Sequence, residues 1–412
     1  MKKEFQYLKK SKNLDWINIV KKRWKNMAQV SKGANRIYGE AAFEVLAKAQ
    51  ELERQGKYIL HFEIGEPDME TPDNIANAGI QAIKNKKTHY VPSIGLLDLR
   101  KAVQDEVFNS RGYRPDLEQV VIIPGLKPGI FFSMLATVNP GDEVIYQDPG
   151  YPTYGSVTSF LGAKGVLVPL LEENEFRMNP DDIKSRITKK TKLVIVNSPQ
   201  NPTGSVMTKS ELDEIAILAE EHDFFIVSDE IYSKMTYDTQ HFTSTARDEA
   251  KIRSILLDGF SKYFAMTGWR LGYMIAPVNM VERLQDFLVS AVSCTAAFTQ
   301  WAGLEALTGD QSFIPKMMER FQEKRDRIVK GLNSVTGFSC LSPKGAFYAF
   351  PNIKETGMTS KECADHLLYN AGVAVLPGTA FGPYGEGYLR FSYATSLDCI
   401  DEAIDRIKNS FE

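Results

Sequence analysis

The chain of 412 residues is 43% hydrophobic and 25% charged, with a formal net charge of -3, which reads as a globular protein of about two domains. No run of 18 or more apolar residues offers a membrane span, and a slightly acidic balance gives no broad basic surface for nucleic acid. Four cysteines without a CxxC spacing (Cys294, Cys340, Cys363 and Cys399) exclude both a disulfide framework and a zinc site.

The start, MKKEFQYLKKSKNLDWINIVKKRWKNMAQ, is basic but has no continuous apolar core and no small-residue cleavage site. It is therefore not a secretory signal, and the expected location is cytoplasmic. Residues 1–35, with Trp16 and Trp24, are expected to add a helix or two ahead of the fold. Further on, VVII is followed by the turn PGLKPG, and KLVIVN predicts a buried strand over Lys192–Asn197. After the loop NSPQNPTG, Thr208 and Glu211 form a T-x-x-E capping box, with Leu212, Ile215, Ala216 and Ala219 at helical spacing behind it. FFIVSDE and SILLDG supply two more strands. Strand, helix and strand at this rhythm predict an α/β fold with a mainly parallel sheet. SPKGAFYAFP and GYLRFSYAT are strand-like stretches among longer helical ones, and point to a second, smaller α+β lobe.

From Ser254 to Val281 only three residues are charged: Asp258, Lys262 and Arg270. A chain with 25% charged residues would place about seven there. Lysine and arginine are rarely buried without a partner, so the two cations are expected to face something anionic. In open α/β sheets ligands collect beyond the carboxyl ends of the strands. The loop with Asn201, the acid Asp229 and the amine Lys262 all follow predicted strands, so they converge on one edge.

A lysine amine can capture a carbonyl cofactor as a Schiff base. Pyridoxal phosphate needs such a lysine, an acid at its pyridine nitrogen and donors for its phosphate. Lys262, Asp229 and Arg270 match those needs, with Ser261 beside the lysine and the backbone N–H groups of Leu126 and Lys127 at a helix start. Singly, each also reads as an ordinary feature: Asp229 as a helix cap, PGLKPG as a plain turn, Ser261 as a backbone partner.

NPTG, SDEIY and SKYFAMTGWRLGY, in this order and spacing, resemble the class I/II aminotransferases, the fold-type I pyridoxal-phosphate enzymes. IGEPD, PGYPTY and LRFSYA add to the likeness, which covers roughly residues 36–412. The resemblance implies a three-layer α/β/α large domain that binds pyridoxal 5'-phosphate over 76–304, and a small α+β domain from 36–75 and 305–412. It implies that Lys262 forms the Schiff base and carries the proton, and that Asp229 pairs with the ring nitrogen. Asn201 and Tyr232 would hydrogen-bond the phenolic oxygen, and Tyr151 would stack on the ring. Arg270, Ser261 and the Gly125–Leu126–Lys127 turn would hold the phosphate, joined by Tyr90 acting on the neighbouring subunit of a homodimer. Arg390 would grip the substrate α-carboxylate with Gly65 and Asn201, and Lys127 would meet a distal carboxylate. The implied substrates are an L-amino acid and a 2-oxo acid, aspartate or glutamate first, with aromatic side chains open. A related reaction on the same scaffold, by a C–S lyase, a cyclase or an aminocyclopropane-carboxylate-type synthase, remains the alternative, since fold does not decide chemistry. A transcription regulator with an aminotransferase-like effector domain is the less favoured alternative from another class, since only about 35 residues precede the fold and they carry no helix-turn-helix signal. Two departures stand out: Gly259 where many relatives carry Ser or Thr, and GLKP, whose Pro128 has no N–H to give.

Overall fold

The computed structural model describes residues 30–411 apart from Ser244 and Ala246. Trp16, Trp24 and most of the expected N-terminal extension therefore lie outside the described residues; the part of it described, residues 30–35, is turn and irregular chain. Helix α1 (Ala41–Arg54) then leads into the short strand β1 (Leu60–His61). Helices α2 (Asp73–Lys84) and α3 (Leu97–Arg111) precede the central sheet.

Seven strands build that sheet: β2 (Val120–Ile123), β3 (Glu143–Asp148), β4 (Lys164–Pro169), β5 (Thr191–Asn197), β6 (Phe225–Asp229), β7 (Ser254–Gly259) and β8 (Gly272–Ile275). Their order is β2-β8-β7-β6-β5-β3-β4, and only β8 runs antiparallel to its neighbours. The expected mainly parallel sheet is present, with β5 one residue longer than the apolar run suggested.

Strands buried on both faces need continuous apolar sequence, and these have it. Leu193, Ile195, Ile255 and Leu257 point to one face, where they meet α4 (Leu126–Thr137), α5 (Pro152–Leu161) and α7 (Val278–Val292). Val194, Val196 and Ile226 point to the other, against α6 (Lys209–His222). Leu256 on that second side joins the core formed with α3 and α8 (Ala297–Thr308). Each such side chain, fully buried, contributes about 1.5–3 kcal/mol. The capping box at the start of α6 forms as expected, with the Thr208 hydroxyl accepting from the Glu211 N–H and the Glu211 carboxylate from the Thr208 N–H.

Beyond the sheet, the long helix α9 (Phe313–Leu332) leads to β9 (Tyr348–Ala349). Helix α10 (Ser360–His366), β10 (Val373–Ala374), β11 (Leu376–Pro377), β12 (Leu389–Ser392) and α11 (Leu397–Phe411) follow. β1 pairs with β10 in parallel, and β11, β12 and β9 form an antiparallel sheet. Residues near both ends of the chain thus share these two small sheets. No helix among the described residues is long and apolar enough to cross a membrane.

Candidate active site

The parallel strands β5, β6 and β7 end at Asn197, Asp229 and Gly259, and a cavity of about 360 Å³ opens at that edge. The turn after β7 carries Ser261 and Lys262 into it, and β12 brings Arg390 from the small sheet. The same cavity is lined by Gly65, Leu126, Lys127, Tyr151, Asn201, Asp229, Tyr232 and Arg270. Tyr90 is not among the lining residues and stands 86% exposed. Gly125 lies directly behind Arg270 rather than on the cavity wall.

Lys262 Nζ donates to the Gly65 carbonyl at 2.7 Å. Burial drives its pKa down to about 8; Glu66 opposes the shift, whereas Arg390, Lys127 and Arg270 add to it. With a pKa near 8, about a tenth of such amines are uncharged at pH 7, far more than for a free lysine, which suits a nucleophile. Asp229, almost fully buried, takes a hydrogen bond from the Tyr154 hydroxyl at 2.7 Å. Burial lifts its carboxyl to about 6, with the hydrogen bonds from Tyr154 and the Ile231 N–H working against the lift.

Arg270 adopts a left-handed backbone (φ 54) and bends back so that its guanidinium covers Gly125. A Cβ at Gly125 would sit 2.3 Å from Arg270 Nη2, and Gly125 itself has φ +84, so no other residue fits there. The Gly125 N–H is already bonded to the Ile123 carbonyl, so it is the next N–H groups, of Leu126 and Lys127 in the first turn of α4, that lack helical partners. An arginine over a helix N-terminus makes an anion seat. Pro128 falls within the same first turn, where a missing N–H breaks no helical bond.

Arg390 is fully enclosed. Its Nη1 donates to Asn201 Oδ1 at 3.2 Å, its Nη2 donates to the Glu63 carbonyl, and its buried Nε has no partner. Burial depresses its pKa, and the rings of Tyr348 and Phe381 lie 4.6 and 4.9 Å from the guanidinium carbon. Gly65 is fixed by crowding: a Cβ would stand 2.2 Å from the Tyr348 hydroxyl. The Tyr232 and Tyr348 hydroxyls are 2.7 Å apart.

Asp258, the remaining charge of the low-charge stretch, faces away from the cavity. Arg111 on α3 bridges it (2.5 Å) to Glu230 (2.8 Å), tying the ends of β6 and β7 together beneath the site. Burial works against the Glu230 carboxylate, but Arg111 and then His241 hold its pKa down to about 2.

Sequence reading did not single out Tyr154, Tyr348, Glu66 or Glu40, all of which line the cavity. Tyr154 was within reach, since it lies three residues after Tyr151 and so one helical turn along α5. Glu40 carries no local signal. Its carboxylate accepts from the Tyr151 hydroxyl at 2.9 Å and pairs with Lys127 at 2.5 Å.

A buried amine, a buried acid across the cavity and an arginine-capped anion seat together fit pyridoxal phosphate, an aldehyde on a basic ring with a phosphate arm. Among the described residues no group of His, Cys, Asp and Glu is arranged to hold a metal ion.

The family model for aminotransferases of class I and II matches residues 57–407. An aspartate aminotransferase of Pyrococcus abyssi is 40% identical over 356 residues, covering 85% of this chain and 91% of that one. An aromatic-amino-acid aminotransferase of Thermococcus litoralis is also 40% identical, over 354 residues with the same coverage. Among solved structures, an aspartate aminotransferase from Thermus thermophilus with maleate superposes with a TM-score of 0.89 at 35% identity, over 93% of this chain and 100% of that one.

Proposed function

This chain belongs to the class I and II aminotransferase family, and from that premise we propose the residues with which it moves an amino group from an L-amino acid to a 2-oxo acid. Pyridoxal phosphate, when bound, supplies an aldehyde for an amine and a ring that withdraws electrons from the substrate Cα. Lys262 would hold it through its amine, and would take the proton from the substrate Cα and keep it for return. Asp229 would keep the ring nitrogen protonated, Tyr151 would pack on the ring, and Tyr232 and Asn201 would bond its phenolic oxygen. Arg270, Ser261 and the N–H groups of Leu126 and Lys127, with Tyr90 of the partner subunit, would hold the phosphate. Arg390 takes the α-carboxylate of each substrate in turn, next to Gly65. Its unpartnered buried Nε supports that role, because a buried donor without a partner costs about 1–3 kcal/mol until a ligand satisfies it.

The observation that carries the reading is the buried amine of Lys262, with a pKa near 8, in one cavity with Asp229 and Arg390. Two lobes are part of the proposal: residues 76–304 bind the cofactor, and 36–75 with 305–412 close on it. The two small sheets drawn from both ends of the chain support this division. A homodimer is supported by the exposure of Tyr90 (86%) and of the apolar Ile80 and Ile83. Relatives named for aspartate and for aromatic amino acids make aspartate, glutamate and phenylalanine the first substrates to test.

Lys262→Ala is expected to abolish amino-group exchange and the visible absorbance of a lysine-linked cofactor. In the wild-type chain freed of cofactor, uptake should accelerate as pH rises through about 8, because Lys262 reacts only after losing its proton. Full exchange activity in Lys262→Ala would overturn the assignment.

A further inference from the structure

The cation expected to greet a substrate's distal carboxylate is already answered by a carboxylate of the chain itself. Glu40 Oε1 lies 2.5 Å from Lys127 Nζ and accepts from the Tyr151 hydroxyl at 2.9 Å, inside the cavity that holds Lys262 and Arg390. The chain ahead of Glu40 is strapped to α5. Arg36 donates to the Ser159 and Phe160 carbonyls (2.6 and 2.8 Å), and the Tyr38 N–H and carbonyl both bond the Ser156 hydroxyl (3.0 and 2.8 Å). That strap delivers Glu40 to the start of α1, directly over Tyr151. Between strap and helix stands Gly39, where even a Cβ would touch nothing, so no packing locks the junction.

We propose that Glu40 determines substrate selection: its carboxylate occupies the seat of a substrate's side-chain carboxylate, so that a dicarboxylic substrate must displace it from Lys127. An amino acid with an uncharged side chain binds with the pair intact. The charges at this end of the cavity decide the point. With Glu40 in place, Lys127 and Glu40 sum to zero, and an incoming carboxylate meets a like charge at close range. With Glu40 turned away, Lys127 is free to pair with the substrate. Glu40 retains 22% side-chain exposure, so it has an open path to water. Ala42, Phe43 and Ile64 offer an apolar wall to an uncharged side chain. A reaction that binds two different acids in turn at one site gains from a carboxylate that yields to one and stays for the other.

The proposal rests on the aminotransferase reading with Arg390 on the α-carboxylate, and its test separates the two. Wild-type holoenzyme, Glu40→Gln and the double variant Glu40→Gln/Lys127→Met are compared in two measurements. The first is kcat/KM for glutamate relative to that for leucine or phenylalanine, and the second is the dissociation constant of succinate by calorimetry. The amide keeps the shape of Glu40 and an acceptor for Tyr151 but removes the charge. The expected result is a rise of at least tenfold in the glutamate preference and a succinate affinity at least tenfold tighter in Glu40→Gln, both lost in the double variant. Glu40→Ala should move both readouts in the same direction and serves if the amide variant does not fold. An unchanged succinate affinity and an unchanged preference would overturn the role of Glu40 while leaving the enzyme an aminotransferase. A wild-type protein that exchanges no amino group would overturn the enzyme reading instead, and the succinate titration would still decide the role of Glu40.

Discussion

Among the described residues, Asp229 takes its hydrogen bonds from two uncharged donors, the Tyr154 hydroxyl at 2.7 Å and the Ile231 N–H at 3.4 Å. Burial, reinforced by Asp258 and Glu230, raises its pKa from 3.8 to about 6. A group whose pKa is higher in the folded chain stabilises the fold fully below its unfolded value and loses that contribution as pH rises through the folded one. Between pH 4 and 6 the cofactor-free fold therefore weakens, and above pH 6 the ionised carboxylate costs it about 3 kcal/mol relative to acid conditions. The cationic ring nitrogen of the proposed cofactor would offset that cost. Asp229→Asn, measured without cofactor, is thus expected to melt above the wild type at pH 8, with its pH-dependent advantage cut to about half at pH 5, while its amino-group exchange falls steeply. Equal melting of the two at both pH values would show that Asp229 is not held as a buried charge. The acid was legible in the sequence because it ends an apolar strand, and so was Lys262. Tyr154 and Tyr348, which bond Asp229 and Tyr232, were not singled out. A buried tyrosine looks like any other core aromatic until its hydroxyl finds a partner.

At the scale of elements, the glycine at 259, where the resemblance predicts Ser or Thr, acquires a physical reason. β7 and β8 are antiparallel neighbours, and Gly259 faces Gly272 across the ladder. A Cβ on Gly259 would stand 2.9 Å from Gly272 Cα and 3.1 Å from the Leu271 carbonyl oxygen, both backbone atoms that cannot turn aside. Gly259→Ser, which supplies the hydroxyl, is expected to force the two strands apart at a cost of roughly 1–3 kcal/mol. Thermal unfolding of the holoenzyme should show the loss, and titration with pyridoxal phosphate should show no tighter binding. A serine variant as stable as the wild type would mean the strands already have room. The strands themselves were readable because VVII, KLVIVN and SILLDG are apolar throughout, as a sheet covered on both faces requires. Glu40 was not readable. It reaches the cavity only because Arg36 and Tyr38 bind α5, more than a hundred residues along the chain, and no local pattern encodes such a contact. Lys127 illustrates the converse. Its position at the start of α4 was evident, but the carboxylate that meets it, Glu40, lies far from it along the chain.

At the scale of the whole molecule, the cavity that holds Lys262 draws on residues from Glu40 to Arg390, yet Tyr90 stays in solvent. The single chain buries its core in three clusters around the central sheet, and Tyr90 belongs to none of them. The proposed twofold assembly would give it a role: in a closed dimer each chain would lend its Tyr90 to the anion seat of the other. The lent hydroxyl makes a specific prediction about mixtures. Tyr90→Ala is expected to bind cofactor weakly, and Lys262→Ala to exchange no amino group at all. A hybrid of the two contains one site that lacks both residues and one that lacks neither. Chains unfolded together and refolded as an equal mixture should regain about a quarter of wild-type activity at limiting cofactor, since half of the dimers are hybrid and half of their sites intact. If each chain instead completes its own site, the mixture will show only the sum of its two separate components, and the exposed Tyr90 must be given another role.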